Sequence, residues 1–166
     1  GGVWVGTDTG GVAHWDGERL QHPLAGRGLP ASRIRGLAAA PNGDLWIGYR
    51  EGLFRSGRSG CALFAPLAVD SLLTAPRSGA VAVLSAGSLW RVDGDRVAEI
   101  AVRPAGQTGR VAAAVFGHDD TLWTIDEDGR LWRRPSDGPA EAVPFAGNLP
   151  RPRAVRVTRL GEIWVG

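Results

Sequence analysis

An all-β protein built from repeated four-stranded units is what this sequence predicts, and three observations carry the prediction. A tryptophan-centred string recurs as GVWVGTDTGGV at 2–12, GDLWIGYREGL at 43–53, TLWTID at 121–126 and GEIWVG at 161–166. No window sustains a 3.6-residue apolar period over ten or more residues before Gly or Pro interrupts it, which argues against helices. Gly 25 and Pro 11 among 166 residues supply the tight turns that many short strands require.

The elements follow from aligning the copies. Trp4, Trp46, Trp123 and Trp164 share one slot. In the unit without the tryptophan, AVAVLS places Val81 there, so that the steps between slots are 42, 35, 42 and 41 residues. Nine residues upstream lie the apolar Leu37, Leu72, Ala114 and Val155, inside β-like runs at 34–40, 69–75, 111–117 and 154–160. Downstream comes a Gly-led strand, GGVAHW, EGLFRS, GSLWRV and GRLWRR, in which Ala13, Phe54, Trp90 and Trp132 are equivalent. A short outer segment closes each unit, at 20–22, 61–64, 97–102 and 142–145. Each unit thus reads as strands A, B, C and D, with units at about 1–24, 25–66, 67–103 and 104–146 and a partial one at 147–166.

Four short strands every 40 residues or so predict a β-propeller, here about four blades of four antiparallel strands. A sandwich has as many strands but no reason to repeat itself. Successive residues of a strand point to opposite faces of its sheet, and both faces of a blade are covered by neighbouring blades. A flat indole fills the wedge between radiating sheets and removes about 150–250 Å² from water. Trp4, Trp46, Trp90, Trp123, Trp132 and Trp164 are therefore expected as blade core. Asx-Gly pairs at 16–17, 42–43, 93–94, 128–129 and 137–138 read as hairpin turns that need a positive φ. Counting strands gives seventeen, which is not a multiple of four. A slice of a larger ring is the expectation, with one apolar blade face exposed at each end.

Composition narrows the function. The net charge is +2, and every basic residue is Arg. These are scattered rather than gathered with aromatics on one face, which argues against nucleic acid as a partner. The denser set Arg151, Arg153, Arg156 and Arg159 reads as a solvated loop and strand edge. No apolar run approaches the roughly 18 residues that cross a bilayer, so no membrane contact is expected of this segment. The single Cys61 excludes an internal disulfide.

Residues 28–55, GLPASRIRGLAAAPNGDLWIGYREGLFR, resemble the two-component-regulator propeller repeat. That repeat runs from a Gly-Leu-Pro turn through an A strand and a G-x-L-W-I-G-T strand to a G-L-x-R strand. GVWVGTDTGGV at 2–12 and GNLPRPRAVRVTRLGEIWVG at 147–166 match parts of it, whereas residues 61–145 match weakly. The resemblance implies a ring of typically seven blades, in the extracytoplasmic or periplasmic ligand-sensing part of a membrane-anchored signalling protein. The histidine kinase or diguanylate cyclase output would lie outside these residues, with the remaining blades of the parent propeller as neighbours.

Candidate chemistry within the chain is sparse. His118-Asp119-Asp120 is the one triad-like cluster, but a single local turn cannot supply nucleophile, base and orienter. It also lacks the third and fourth donors a metal needs. Asp126-Glu127-Asp128-Gly129 carries carboxylates as a calcium loop does, yet strand C follows too soon for the twelve-residue pattern. No catalytic residue, metal or cofactor is expected. Ligand binding is expected where the D–A and B–C connections gather, with Tyr49, Arg50, Glu51, Asp8, Arg33 and Asp126 as candidate contacts. Tyr49 replaces the Thr of the repeat and is the single tyrosine. It would either stack on a sugar ring or cap its own hairpin. A carbohydrate, a peptide or another small molecule fits this set equally. A propeller lyase and a protein-interaction scaffold without a small ligand are the alternative readings.

Overall fold

The computed structural model describes residues 2–57, 60–144 and 151–166. Within them lie seventeen strands and no helix, in five antiparallel sheets whose neighbours follow chain order. The first sheet holds β1 (Val3–Gly6), β2 (Val12–Trp15) and β3 (Leu20–Gln21). The second holds β4 (Gly36–Ala39), β5 (Leu45–Gly48), β6 (Leu53–Gly57) and β7 (Gly60–Ala65). The third holds β8 (Ser71–Thr74), β9 (Val81–Ser85), β10 (Ser88–Asp93) and β11 (Arg96–Glu99). The fourth holds β12 (Val111–Phe116), β13 (Leu122–Asp126), β14 (Leu131–Arg134) and β15 (Glu141–Val143). The fifth pairs β16 (Val155–Val157) with β17 (Ile163–Val165). This is the blade-by-blade architecture of a β-propeller, present as a partial set of blades. Within the run at 154–160, Val155–Val157 pairs with β17. Phe145 of the last outer segment and the turn residues 147–150 lie outside the described residues.

The turns explain the short strands. At Asn42-Gly43 the Asn42 Oδ1 accepts from Asp44 N at 3.1 Å, while Ala40 N donates to Asp44 O at 2.8 Å. Glycines 17, 43, 94 and 129 take the positive φ expected of Asx-Gly turns, whereas Gly138 does not.

Register corrects one alignment. Trp4 pairs with His14, Trp46 with Arg55 and Trp123 with Arg133. The equivalent Arg91 pairs with Ala82, so Ala82 and not Val81 holds the tryptophan slot, and the steps become 42, 36, 41 and 41 residues. A one-residue slip exchanges the faces of a strand. In β9 all five residues are buried, so apolar alternation could not mark the register.

The chain forms two compact units, one up to Leu72 and one from Leu73. In the first, Trp4 and Val12 pack against Leu37, Leu45, Ile47, Tyr49 and Phe54 of the second sheet. In the second, Ala82, Leu84 and Leu89 of the third sheet meet Val111, Ala114, Phe116 and Leu122 of the fourth. The fourth sheet's other face presents Ala113, Val115, Trp123 and Ile125 to Val155, Ile163 and Val165 of the fifth. Burying each such Val, Leu, Ile or Phe contributes about 1.5–3 kcal/mol. Trp46 and Trp132 are buried as expected of blade core, while Trp4, Trp90 and Trp123 are half-buried. Trp164 departs from the expectation. It is 65% exposed, because Ile163 and Val165 take the inward positions of β17 and no described sheet covers its outward face.

Candidate ligand-binding site

In each unit the B–C hairpins and the segment entering strand A gather at one end of the sheets. In the first unit the entering segment is pinned by Ile34 N to Thr7 O at 3.2 Å and by Arg35 N to Gly48 O at 2.8 Å. It passes so close to the β1–β2 hairpin that a Cβ on Gly10 would lie 2.1 Å from Pro30 O, and Gly10 has a φ of 86°. Glycine alone fits both constraints. Arg33 Nε then meets Asp8 Oδ1 at 3.1 Å, and Ser32 Oγ donates to Glu51 Oε2 at 3.0 Å. Four expected contact residues, Asp8, Arg33, Tyr49 and Glu51, are thus brought to one end, while Arg50 is exposed beside them. These charges engage each other or the loop.

Tyr49 does not offer a face to a ligand. Its side chain is fully buried, its hydroxyl donates to Gly10 O at 3.2 Å, and its ring stands edge-on to Phe54 at 5.3 Å. Burial pushes its phenol up to about 12, with Cys61 and Glu51 adding to the effect. The expected sugar-stacking role gives way to a packing one: the polar tip ties two hairpins while the ring fills the space between two sheets.

Asp126, at the corresponding hairpin of the second unit, is also buried. Its Oδ1 accepts from Asp128 N at 3.1 Å and Arg130 N at 2.9 Å, and its Oδ2 accepts from Trp132 Nε1 at 3.1 Å. The carboxylate is a hairpin clamp, and the calcium-like string is a turn.

Beside it stands a residue that the sequence did not single out. Arg103 has a side chain only 9% exposed, with Nε 3.9 Å from Asp126 Oδ2 and its guanidinium over the Trp132 ring at 5.9 Å. Its Nε and Nη2 make no hydrogen bond, and among the described residues the Thr124 hydroxyl is the other buried polar group in that condition. The backbone of Gly109, whose φ is 143°, lies against it. Arg103 lines a cleft of about 510 Å³ formed by residues 87–89 and 99–109, with an Arg110–Glu127 ion pair at 3.1 Å nearby. Unpaired buried donors are rare and costly. An acceptor supplied from the cleft, a carboxylate or a hydroxyl, would satisfy them once the Gly-bordered loop yields. The sequence signal was slight: Arg103-Pro104 opens the third D–A connection one residue beyond the predicted strand.

At the other end of the second unit, His118-Asp119-Asp120 forms a structural lock. Asp120, at a φ of 63°, accepts from Arg77 N at 2.8 Å and Ser78 N at 2.7 Å, and Arg77 Nε donates to His118 O at 3.0 Å. Burial pushes the Asp120 carboxyl up, but the Arg77 and Ser78 donors outweigh it and hold it below its ordinary value. The Thr121 hydroxyl, with the Thr121 amide, does the same for Asp119. Among the described residues no group of three or more His, Cys, Asp or Glu is arranged to hold a metal.

No protein-family model and no curated protein sequence matches the chain. Solved structures do, over 99% of its length. Virginiamycin B lyase from Staphylococcus aureus matches with a TM-score of 0.72 at 15% identity. The extracellular domain assigned to a hybrid two-component system of B. thetaiotaomicron matches with a TM-score of 0.72 at 16% identity. YCF48 bound to D1 peptide matches with a TM-score of 0.70 at 18% identity. The chain spans 59%, 24% and 57% of those three chains. At such identities the likeness is one of fold. That fold is shared by extracellular domains assigned to two-component systems and by lyases.

Proposed function

We propose that this chain is the ligand-binding portion of an extracytoplasmic, membrane-anchored sensor propeller, and that it performs no catalysis itself. The remaining blades of the ring and the output domain are supplied by other residues of the parent. The observation that carries this reading is Arg103, a buried guanidinium whose Nε and Nη2 make no hydrogen bond, in the wall of a cleft on the D–A side of its unit. Asp126 and Trp132 hold it in place, and the ligand completes its hydrogen bonding. A small carbohydrate, a peptide or another small molecule bearing a carboxylate has the acceptors required.

A thermal-shift screen of carbohydrates, short peptides and small carboxylates tests the proposal. At least one compound should raise the melting temperature in a concentration-dependent way, since a ligand at 100 times its Kd stabilises by about 2.7 kcal/mol. Arg103→Gln should cut that response to about half or less, as a tenfold weaker affinity requires. A screen with no responder, or a response that Arg103→Gln leaves intact, would overturn it.

A lyase is the second reading, suggested by the shared fold of 99% of this chain with 59% of virginiamycin B lyase. Consumption of virginiamycin B by the purified chain would support it, and an unaltered compound after prolonged incubation would count against it. A scaffold that docks proteins on its blade edges would give neither response.

A further inference from the structure

The slot that holds an indole in the second and fourth sheets holds Ala82 in the third. In the second sheet, Arg55 lies over the Trp46 ring at 5.4 Å, and Trp46 meets Phe64 edge-on at 4.7 Å. Arg91 is the equivalent of Arg55, but among the described residues no ring lies beneath it. It turns instead to the exposed Asp93 at 2.9 Å. Ala82 itself is fully buried. Arg91 and Ile100, the counterparts of Arg55 and Phe64 around the Trp46 ring, line a cleft of about 290 Å³ between the third and fourth sheets, whose apolar lining includes Ala80, Phe116 and Leu122. Arg91 and Arg134 border it, and Arg134 has as its contact a long 3.5 Å hydrogen bond to Gly138 O.

We propose that this cleft binds a small aromatic anion. The flat ring enters where neighbouring sheets carry their own indole and lies beneath Arg91, as Trp46 lies beneath Arg55. Its carboxylate reaches Arg134. A guanidinium over a ring face and a charge-assisted contact to a carboxylate are both favourable, and both strengthen as water leaves. The wall carboxylate Asp120 does not repel such a ligand strongly, because its two oxygens already accept from the Arg77 and Ser78 amides. Among the residues that line the cleft, Arg91 and Arg134 stand against the single carboxylate Asp120. The cleft shares Ile100 with the Arg103 cleft but extends from it toward the other end of the sheets, at Ala80 and Asp120, and the proposal does not depend on the function proposed above.

Calorimetric titration of the whole chain with indole-3-acetate, and with uncharged indole for comparison, tests the inference. Indole-3-acetate should bind saturably and at least about tenfold more tightly than indole, a difference of one charge-assisted contact. Arg91→Gln/Arg134→Gln should erase that tenfold preference, and Ala80→Phe, which fills the half-exposed mouth, should remove binding of both compounds. Arg103→Gln should change nothing. Absence of saturable binding up to millimolar indole-3-acetate, equal affinity for indole, or an unchanged preference in the double variant would each overturn the proposal.

Discussion

The loop ends of the two units are built from the same kinds of residue and reach opposite outcomes. In the first, Arg33 meets Asp8, Ser32 meets Glu51, and the Tyr49 hydroxyl finds Gly10 O. In the second, the Asp126 carboxylate is saturated by Asp128, Arg130 and Trp132, and Arg103 is left with Nε and Nη2 unpaired beside a cleft. A charged residue at a loop tip is therefore not yet a binding residue. What separates them is whether the fold has already spent its hydrogen bonds.

The sharpest way to break this comparison is at Tyr49. If it is a packing residue, Tyr49→Ala should destabilise the chain by about 3–5 kcal/mol, as large aromatic truncations in cores do. Tyr49→Phe should cost only about 1 kcal/mol, for one lost hydrogen bond. Chemical denaturation reads both. The phenol is pushed up to about 12 in the folded chain, against 10 when unfolded. The unfolded state thus loses its proton first, and stability should fall as pH rises from 10 toward 12. Tyr49→Phe should remove that alkaline slope. A mild effect of Tyr49→Ala would return the residue to the surface role.

Next in size is the clamp in the second unit. Asp126→Ala strands the Trp132 indole N–H, two hairpin amides and the Arg103 charge, and should cost about 3 kcal/mol or more in the same assay. A smaller loss would mean that Arg103 is held by something else. At the far end of that unit, Asp120→Asn should cost about 1 kcal/mol. Because the folded carboxyl lies below its ordinary 3.8, the stability it contributes is present above that pH and is lost as pH falls through the lower folded value. The variant should flatten that acid limb. The smallest effect belongs to the first unit's rim. The Arg33–Asp8 pair is solvated on both sides, so Arg33→Ala should change stability by less than about 1 kcal/mol.

Much of the fold was legible in the sequence for a physical reason. Strands buried on both sides need large apolar residues at fixed positions, and hairpins need Asx-Gly, so Trp46, Trp123 and Asn42-Gly43 mark their places unaided. Where the marker is missing the reading slipped, by one residue at Ala82, because β9 is apolar throughout. The site was less legible. The departure from Thr at Tyr49 signals an altered environment but not which side of the hairpin the ring takes; Gly10, 39 residues earlier, decides that. Arg103 is ordinary in the sequence and becomes distinctive only when the hydrogen bonds of Asp126 are seen to come from Asp128, Arg130 and Trp132, leaving Arg103 a 3.9 Å ion pair and no hydrogen bond at Nε or Nη2.

The most direct test sets the two loop ends against each other. With the best compound from the thermal-shift screen, its affinity is measured calorimetrically for the parent chain, Arg33→Ala and Arg103→Gln. Arg33→Ala should bind as the parent does, and Arg103→Gln should weaken binding at least about tenfold, the loss of a charge-assisted hydrogen bond. Equal affinity in the parent and Arg103→Gln, or a loss confined to Arg33→Ala, would contradict this expectation.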